Sequence, residues 1–276
     1  MNIYHTLFVF FIYAFLGWCL EVAYHALKSG EFVNRGFLNG PLCPIYGVGM
    51  FLILQILSGL MDNKILLFFG AILLTTTLEL VVGWILFKIF NMRWWDYTDM
   101  PFNIGGYVCP LFSIYWGIGC IIVIDYINPL VNAFINLIPH SLGKIILIIV
   151  TVTFITDGVA TVRTILKMNK TLKKVDELGQ KIKEASNEIG QGIANTTLKT
   201  RENVNEFTKD RKADSDKVKL KLDKLKVERD KLLDKNIFGK ERMLRAFPKL
   251  EHKNYNNALI EWKNKFSLKS KKENIN

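Results

Sequence analysis

Glu21 and Glu79 are the residues of this chain whose surroundings ask most for a chemical explanation. Glu21 lies in the apolar run Leu7–Leu27 and Glu79 in the run Ile65–Phe90. Each is followed fourteen residues later by an arginine, Arg35 and Arg93 respectively. An ionisable side chain at bilayer depth costs about 2.5–3.5 kcal/mol on insertion scales. Carboxylates placed there can bind a cation, a proton or a cationic group along a pathway, or they can serve as structural ion pairs with nearby arginines. Asp157, shortly before Arg163 at the end of the last apolar run, is a third acid and is expected to form a helix-terminal pair. His25 follows Glu21 by one helical turn and can share a proton with it.

No other catalytic set accompanies these acids. The sequence has no glycine-rich phosphate loop, no H-E-x-x-H, no G-x-S-x-G and no Ser/His/Asp constellation. His5, His25, His140 and His252 are scattered. An intramembrane acid–base enzyme therefore ranks below transport, and neither an enzyme activity nor a cofactor or metal is expected. Cys19, Cys43, Cys109 and Cys120 lack the paired spacing of a zinc site and read as buried thiols.

The elements that must position the acids are membrane helices. Residues 1–168 carry eight Lys/Arg and eight Asp/Glu, so the whole formal charge of +11 belongs to residues beyond Met168. The expected fold class is all-α: a polytopic membrane helix bundle (1–168) followed by a charged cytoplasmic helical tail (169–276). Five stretches approach the roughly 20 residues a crossing needs: Leu7–Leu27, Cys43–Leu60, Ile65–Phe90, Tyr107–Ile127 and Ile145–Leu166. The second is short and opens on Cys43-Pro44, so it is expected to start below the membrane surface. The first lacks an N-terminal basic residue and a small-residue cleavage site, and reads as a retained anchor.

Lys28, Arg35, Lys88, Arg93 and the cluster Arg163, Lys167, Lys170, Lys173 and Lys174 put the first and third loops and the tail on the cytoplasmic side, with the N-terminus outside. The expected location is the cell membrane.

An internal repeat joins units of about 7–60 and 65–127. Glu21 and Arg35 lead to Asn39, Cys43 and Pro44 in the first; Glu79 and Arg93 lead to Asn103, Cys109 and Pro110 in the second. Each unit holds two crossings, which implies a parallel repeat about an axis along the membrane normal. Both connections carry helix breakers and large aromatics, among them Phe32, Phe37, Trp94, Trp95 and Tyr97, so they are read as folding back into the bundle or lying at the headgroup level. Gly47/Gly49 and Gly117/Gly119 are expected to let the second and fourth spans meet.

In the tail, Val175, Leu178, Ile182, Ala185 and Ile189 have the spacing of a coiled-coil seam, which recurs weakly at Val218, Leu222, Leu225 and Leu232. Tyr255, Leu259, Trp262 and Phe266 fall on one helical face amid lysines and are expected to lie on the anionic inner leaflet or to dock on the membrane domain. No nucleic-acid motif explains the charge, so no nucleic-acid partner is expected.

The runs Phe15-Leu16-Gly17-Trp18 … Glu21, Phe32-Val33-Asn34-Arg35-Gly36-Phe37-Leu38 and Gly40-Pro41 … Pro44-Ile45-Tyr46-Gly47 resemble a bacterial membrane family labelled putative ABC-transporter type IV permease, of the CmpB kind. The run Thr77-Leu78-Glu79 … Trp94-Trp95-Asp96-Tyr97 … Phe102-Asn103 … Gly106 fits the same pattern, and the similarity spans roughly residues 7–165. Arg245-Ala246-Phe247-Pro248 resembles a tail segment of that family. The resemblance implies a permease component. This chain has no nucleotide-binding signature, so a separate ATPase subunit would have to supply hydrolysis, and the Val175–Ile189 helix is a candidate for recruiting it. The leading expectation is a permease with a pathway between the repeats, lined by Glu21 and Glu79, with Arg35 and Arg93 holding the loops. The alternative is a membrane-anchored scaffold or sensor acting through its tail. The small bundle suggests a homodimer.

Overall fold

The computed structural model describes the backbone of residues 2–199 and 208–273; side chains at 189, 192–199, 208–216 and 268–273 lie outside the description. Two compact units emerge, neither continuous in sequence: Met1–Ile165 with Phe238–Lys253, and Leu166–Ile237 with Asn254–Asn276.

The first unit is a bundle of apolar helices. Helix α1 (Ile3–Ser29) is capped by the Asn2 side chain, which accepts from the His5 amide at 2.8 Å, and it stops at Gly30 in the left-handed conformation. Helix α2 (Pro44–Ile56) is short, and a 3-10 turn, Ser58–Leu60, connects it to α3 (Lys64–Phe90). The Asn63 side chain caps α3 through the Leu66 amide at 3.1 Å, and Asn91 ends it with φ 54°. Strand β1 (Met92–Arg93) precedes α4 (Pro110–Ile122). A π-turn, Val123–Ile127, then leads into α5 (Asn128–Leu137).

Among the described residues, four helical stretches are long and apolar enough to cross a membrane: Ile3–Ser29, Lys64–Phe90, Pro110–Leu137 and His140–Glu188. The fourth expected span, Tyr107–Ile127, differs at both ends. Proline at 110 starts the helix, and the π-turn absorbs the N–H missing at Pro129, so the helix continues to Leu137. Large apolar side chains such as Ile65, Phe69, Leu73, Ile148, Ile149 and Val152 are exposed along α3 and α6 (His140–Lys199), a surface that suits lipid rather than water.

Helix α2 is the exception in length. Its 13 residues rise only about 20 Å, against an apolar bilayer core of about 30 Å. It begins level with the middle of α1: the Cys43 amide donates to Ala14 O at 2.9 Å. The chain therefore folds back from the end of α1 along that helix before α2 starts. Glycine makes the close pairing possible, since a Cβ at Gly47 would lie 2.5 Å from Phe10 O on α1. The expected glycine contact between the second and fourth spans is not formed, because Gly47 faces Phe10, Gly49 faces Leu78, and Gly117 faces Phe68 and Ile72. Each glycine contact thus belongs to α1 or α3, the helices that α2 and α4 line.

Residues 238–253 complete the first unit. Helix α8 (Lys240–Ala246) buries Met243 and Leu244, and strand β2 (Glu251–His252) pairs antiparallel with β1, Met92 opposite His252.

In the second unit, Leu172, Val175, Leu178 and Ala185 of α6 are buried, Ile182 is half-buried, and the Ile189 side chain lies outside the described residues. Helices α7 (Thr208–Leu233) and α9 (Asn256–Glu273) pack through Trp262, whose indole N–H donates to Leu233 O at 2.7 Å, and through the ion pairs Arg229–Glu261 and Lys265–Asp234. The apolar face of α9 is thus spent on this unit, with Leu259 and Trp262 buried.

Candidate functional site

Glu21 and Glu79 each accept a hydrogen bond from a tyrosine. Tyr46 on α2 donates its hydroxyl to Glu21 Oε1 at 2.7 Å, and Tyr97, in the connection before α4, donates to Glu79 Oε1 at 3.2 Å. Their environments differ otherwise. Glu21 is partly exposed, and Arg35 Nε lies 3.8 Å from its Oε2, so the spacing of fourteen residues does become an ion pair here. Tyr46 and Arg35 are its partners, and it forms no hydrogen bond with His25.

Glu79 is 9 % exposed, and its Oε2 is buried with no hydrogen-bond partner. The Trp116 indole on α4 interacts with the carboxyl without completing a hydrogen bond to that oxygen, and it packs edge-on against Tyr46 at 5.4 Å. Tyr46 and Trp116 thus bridge the two acids, which lie within each other's electrostatic range. The result is an aromatic-lined acidic cluster built from α1, α2, α3, α4 and the connection before α4.

Arg93 does not reach Glu79. It binds Asp96 Oδ1 and Gly105 O, both at 3.1 Å, and lies over the Tyr107 ring at 5.1 Å. The nearer acid in its own turn captures it. Burial works to raise the Asp96 carboxyl, but the Thr98 amide and hydroxyl and the Arg93 charge outweigh it, leaving the group below the usual carboxylate range. Asn103 stitches the same connection internally, donating to Thr98 O (3.2 Å) and Met100 O (2.8 Å) and accepting from the Gly106 amide (2.9 Å).

The connection from Gly30 to Cys43 must satisfy its backbone without regular structure, which is tolerated at depth only where protein supplies partners. Asp157 of α6 is the main supplier: it accepts from the Asn39 amide (3.1 Å), Asn39 Nδ2 (2.9 Å) and the Gly40 amide (2.7 Å). It therefore anchors the loop and does not pair with Arg163 as expected. Asn34 adds a bond to Asn39 O at 2.7 Å while accepting from Trp18 Nε1 at 2.8 Å.

Two backbone carbonyls of the connection are taken by Arg242, which lies in the charged segment beyond Met168. Its guanidinium donates to Gly36 O (2.7 Å), Phe37 O (3.2 Å) and Asn39 Oδ1 (3.2 Å). Burial lowers the Arg242 pKa from its usual value, with the Asp157 charge opposing that shift. Phe247 packs on Trp94, and Trp94 on Phe37, each at 5.1 Å between ring centroids, so residues 238–253 hold both connections together. The one available signal was the Arg245-Ala246-Phe247-Pro248 run.

Cys43, Cys109 and Cys120 are buried free thiols and Cys19 is half-buried. Cys43 and Cys109 immediately precede the prolines that open α2 and α4. Among the described residues, no group of three or more His, Cys, Asp or Glu could hold a metal ion.

Residues 8–162, more than half of the chain, match the family described as "Putative ABC-transporter type IV". The chain belongs to that family. No curated protein and no solved structure matches it. The span shared with the ABC-transporter type IV family contains both glutamates, Arg35, Arg93, Asn39, Asn103 and Asp157, and ends well before Arg242. The protein is thus a helical membrane protein related by family to ABC transporters.

Proposed function

We propose that the chain is the membrane-embedded permease component of a transporter, with its pathway between the pairs α1/α2 and α3/α4. The observation that carries this reading is the acidic cluster. Two carboxylates from different helix pairs, both within apolar helices, share one aromatic lining and leave one buried oxygen without a hydrogen-bond partner. Such an arrangement is costly for a purely structural purpose and is suited to binding a cation or a cationic group. Arg35 tunes the charge of Glu21, while Arg93, Asn39 and Asn103 hold the flanking connections.

Five crossings, counting α2 as one that starts at depth, put the N-terminus outside the cell membrane and the second unit in the cytoplasm. The equal lengths of α1 and α3 (27 residues each), each followed by an irregular connection that ends in a Cys-Pro at the start of the next helix, support a parallel duplication. Energy would come from a separate ATPase subunit meeting a cytoplasmic surface.

The test is electrical. Proteoliposomes carrying the full chain, with whatever ATPase co-purifies from native membranes, are challenged on a solid-supported membrane with protons, metal cations and organic amines in turn. Wild-type protein is expected to give current with one of these classes, and Glu21→Gln and Glu79→Gln to insert normally but give none. Wild-type currents in both variants would remove the pathway.

A further inference from the structure

The partners of Glu79 allow its ligand to be narrowed. Glu79 is 9 % exposed; its Oε1 takes the Tyr97 hydroxyl, and Oε2 has no hydrogen-bond partner, with the neutral Trp116 indole interacting with the carboxyl. The two arginines that could neutralise it are committed elsewhere, Arg35 to Glu21 and Arg93 to Asp96 and Gly105 O. Among the described residues no lysine or arginine forms an ion pair with Glu79. The groups that face it are Glu21 from α1, Tyr46 from α2, Tyr97 from the connection before α4 and Trp116 from α4, with Cys43 beside Tyr46 and Cys109 beside Tyr97. None of these carries positive charge, and Glu21 is a second acid.

A buried carboxylate without a counter-charge is the least tolerable state of such a group. Neutralisation by a bound proton requires no cavity and no further ligand, whereas a metal ion would need several oxygen ligands around it. We infer that Glu79 is a proton-binding site, held protonated in this arrangement with Oε1 accepting from Tyr97, and that its occupancy keeps the α1/α2 and α3/α4 pairs together. Loss of the proton puts an unpaired negative charge on Glu79 facing Glu21, whose own charge Arg35 offsets only in part from 3.8 Å, across the interface bridged by Tyr46 and Trp116. That repulsion favours separation of the pairs. The inference deepens the pathway reading and rests on it for its meaning in transport: the cation that the cluster takes, as cargo or as coupling ion, is a proton.

The experiment reads the proton directly, without flux. Infrared difference spectra of the full chain in lipid nanodiscs, recorded across pH in H2O and D2O, are compared for wild type, Glu79→Gln, Glu21→Gln and Tyr97→Phe. The expected result is a deuterium-sensitive protonated-carboxyl band at neutral pH, lost in Glu79→Gln, kept in Glu21→Gln and displaced in Tyr97→Phe. In parallel, a hydrophobic carbodiimide, which adds to protonated carboxyls, should label wild-type Glu79 by mass spectrometry, and the labelling should fall as pH rises. That arm does not depend on a variant folding. A Glu79→Gln spectrum superimposable on wild type, with Glu79 unlabelled, would overturn the proton site while leaving a pathway for another cation open. A Glu79 band accompanied by unchanged currents in both glutamine variants would do the reverse, keeping the proton site and removing the permease.

Discussion

Which partner a charged residue finds depends at the residue scale on the nearest competent group, not on sequence symmetry. Arg35 and Arg93 occupy matching positions after Glu21 and Glu79, yet only Arg35 meets its glutamate, because Asp96 lies three residues from Arg93 and offers a shorter path. Small residues matter for the same reason. A Cβ at Gly17 would lie 2.2 Å from Tyr46 Cγ. Gly17→Ala is therefore expected to push Tyr46 away from Glu21 and cost about 1–3 kcal/mol of overpacking strain. Thermal unfolding in detergent should register the loss, and Tyr46 should become more accessible to nitration than in wild type. An unshifted midpoint with unchanged nitration would contradict the packing described.

The element that organises the site is the segment around α8. Arg242 donates three hydrogen bonds into the first connection, while the aromatic chain Phe37–Trp94–Phe247 and the β1–β2 pair reach the second. Hydrogen bonds from a charged donor are worth about 1.5–3 kcal/mol each, less where solvent competes. Arg242→Ala is expected to destabilise the first unit by about 2–4 kcal/mol and open the 30–43 connection to protease. Arg242→Lys should recover only part of this, because an ammonium lacks the planar fork that spans three acceptors. Equal protease resistance for wild type and Arg242→Ala would mean that the guanidinium is not what holds the loop.

For the whole molecule, the division into units determines which perturbations are informative. Removing everything beyond Lys170 strips Arg242 and β2 from the first unit, so loss of activity on such a truncation would not identify a role for the second. The first unit should also respond to pH through His252. Burial depresses its pKa below the usual value near 6.5, so the docked state prefers the neutral ring and the undocked state binds the proton first. Docking is at full strength above about pH 6.5 and weakens as the pH falls below it. The Lys253 amide, which donates to Asn91 O at 2.8 Å, reports this. Its hydrogen-exchange protection, corrected for intrinsic rate, should drop between about pH 7 and about pH 5, and His252→Gln should abolish the dependence. A pH-independent protection factor in wild type would show that His252 is not the sensor.

Much of this architecture is legible in the sequence. Long apolar runs can satisfy their backbones only as helices in lipid, so the long apolar helices, the place of Glu79 within one of them and the start of α2 at Pro44 follow from local composition. The family motifs lie in the same stretch. The partners of the irregular connections were not legible, because a loop has no period from which to infer contacts. Asp157 meets Asn39 across 118 residues of sequence and Arg242 meets Gly36 across 206. The π-turn that carries the fourth span on to Leu137, and the lone Oε2 of Glu79, likewise exist only once helices are packed. Local hydrophobicity decides that the chain enters the membrane and which acids go with it. The pairing of their charges is a property of distance in three dimensions, and only the folded arrangement decides that Glu21 has an arginine while Glu79 has none.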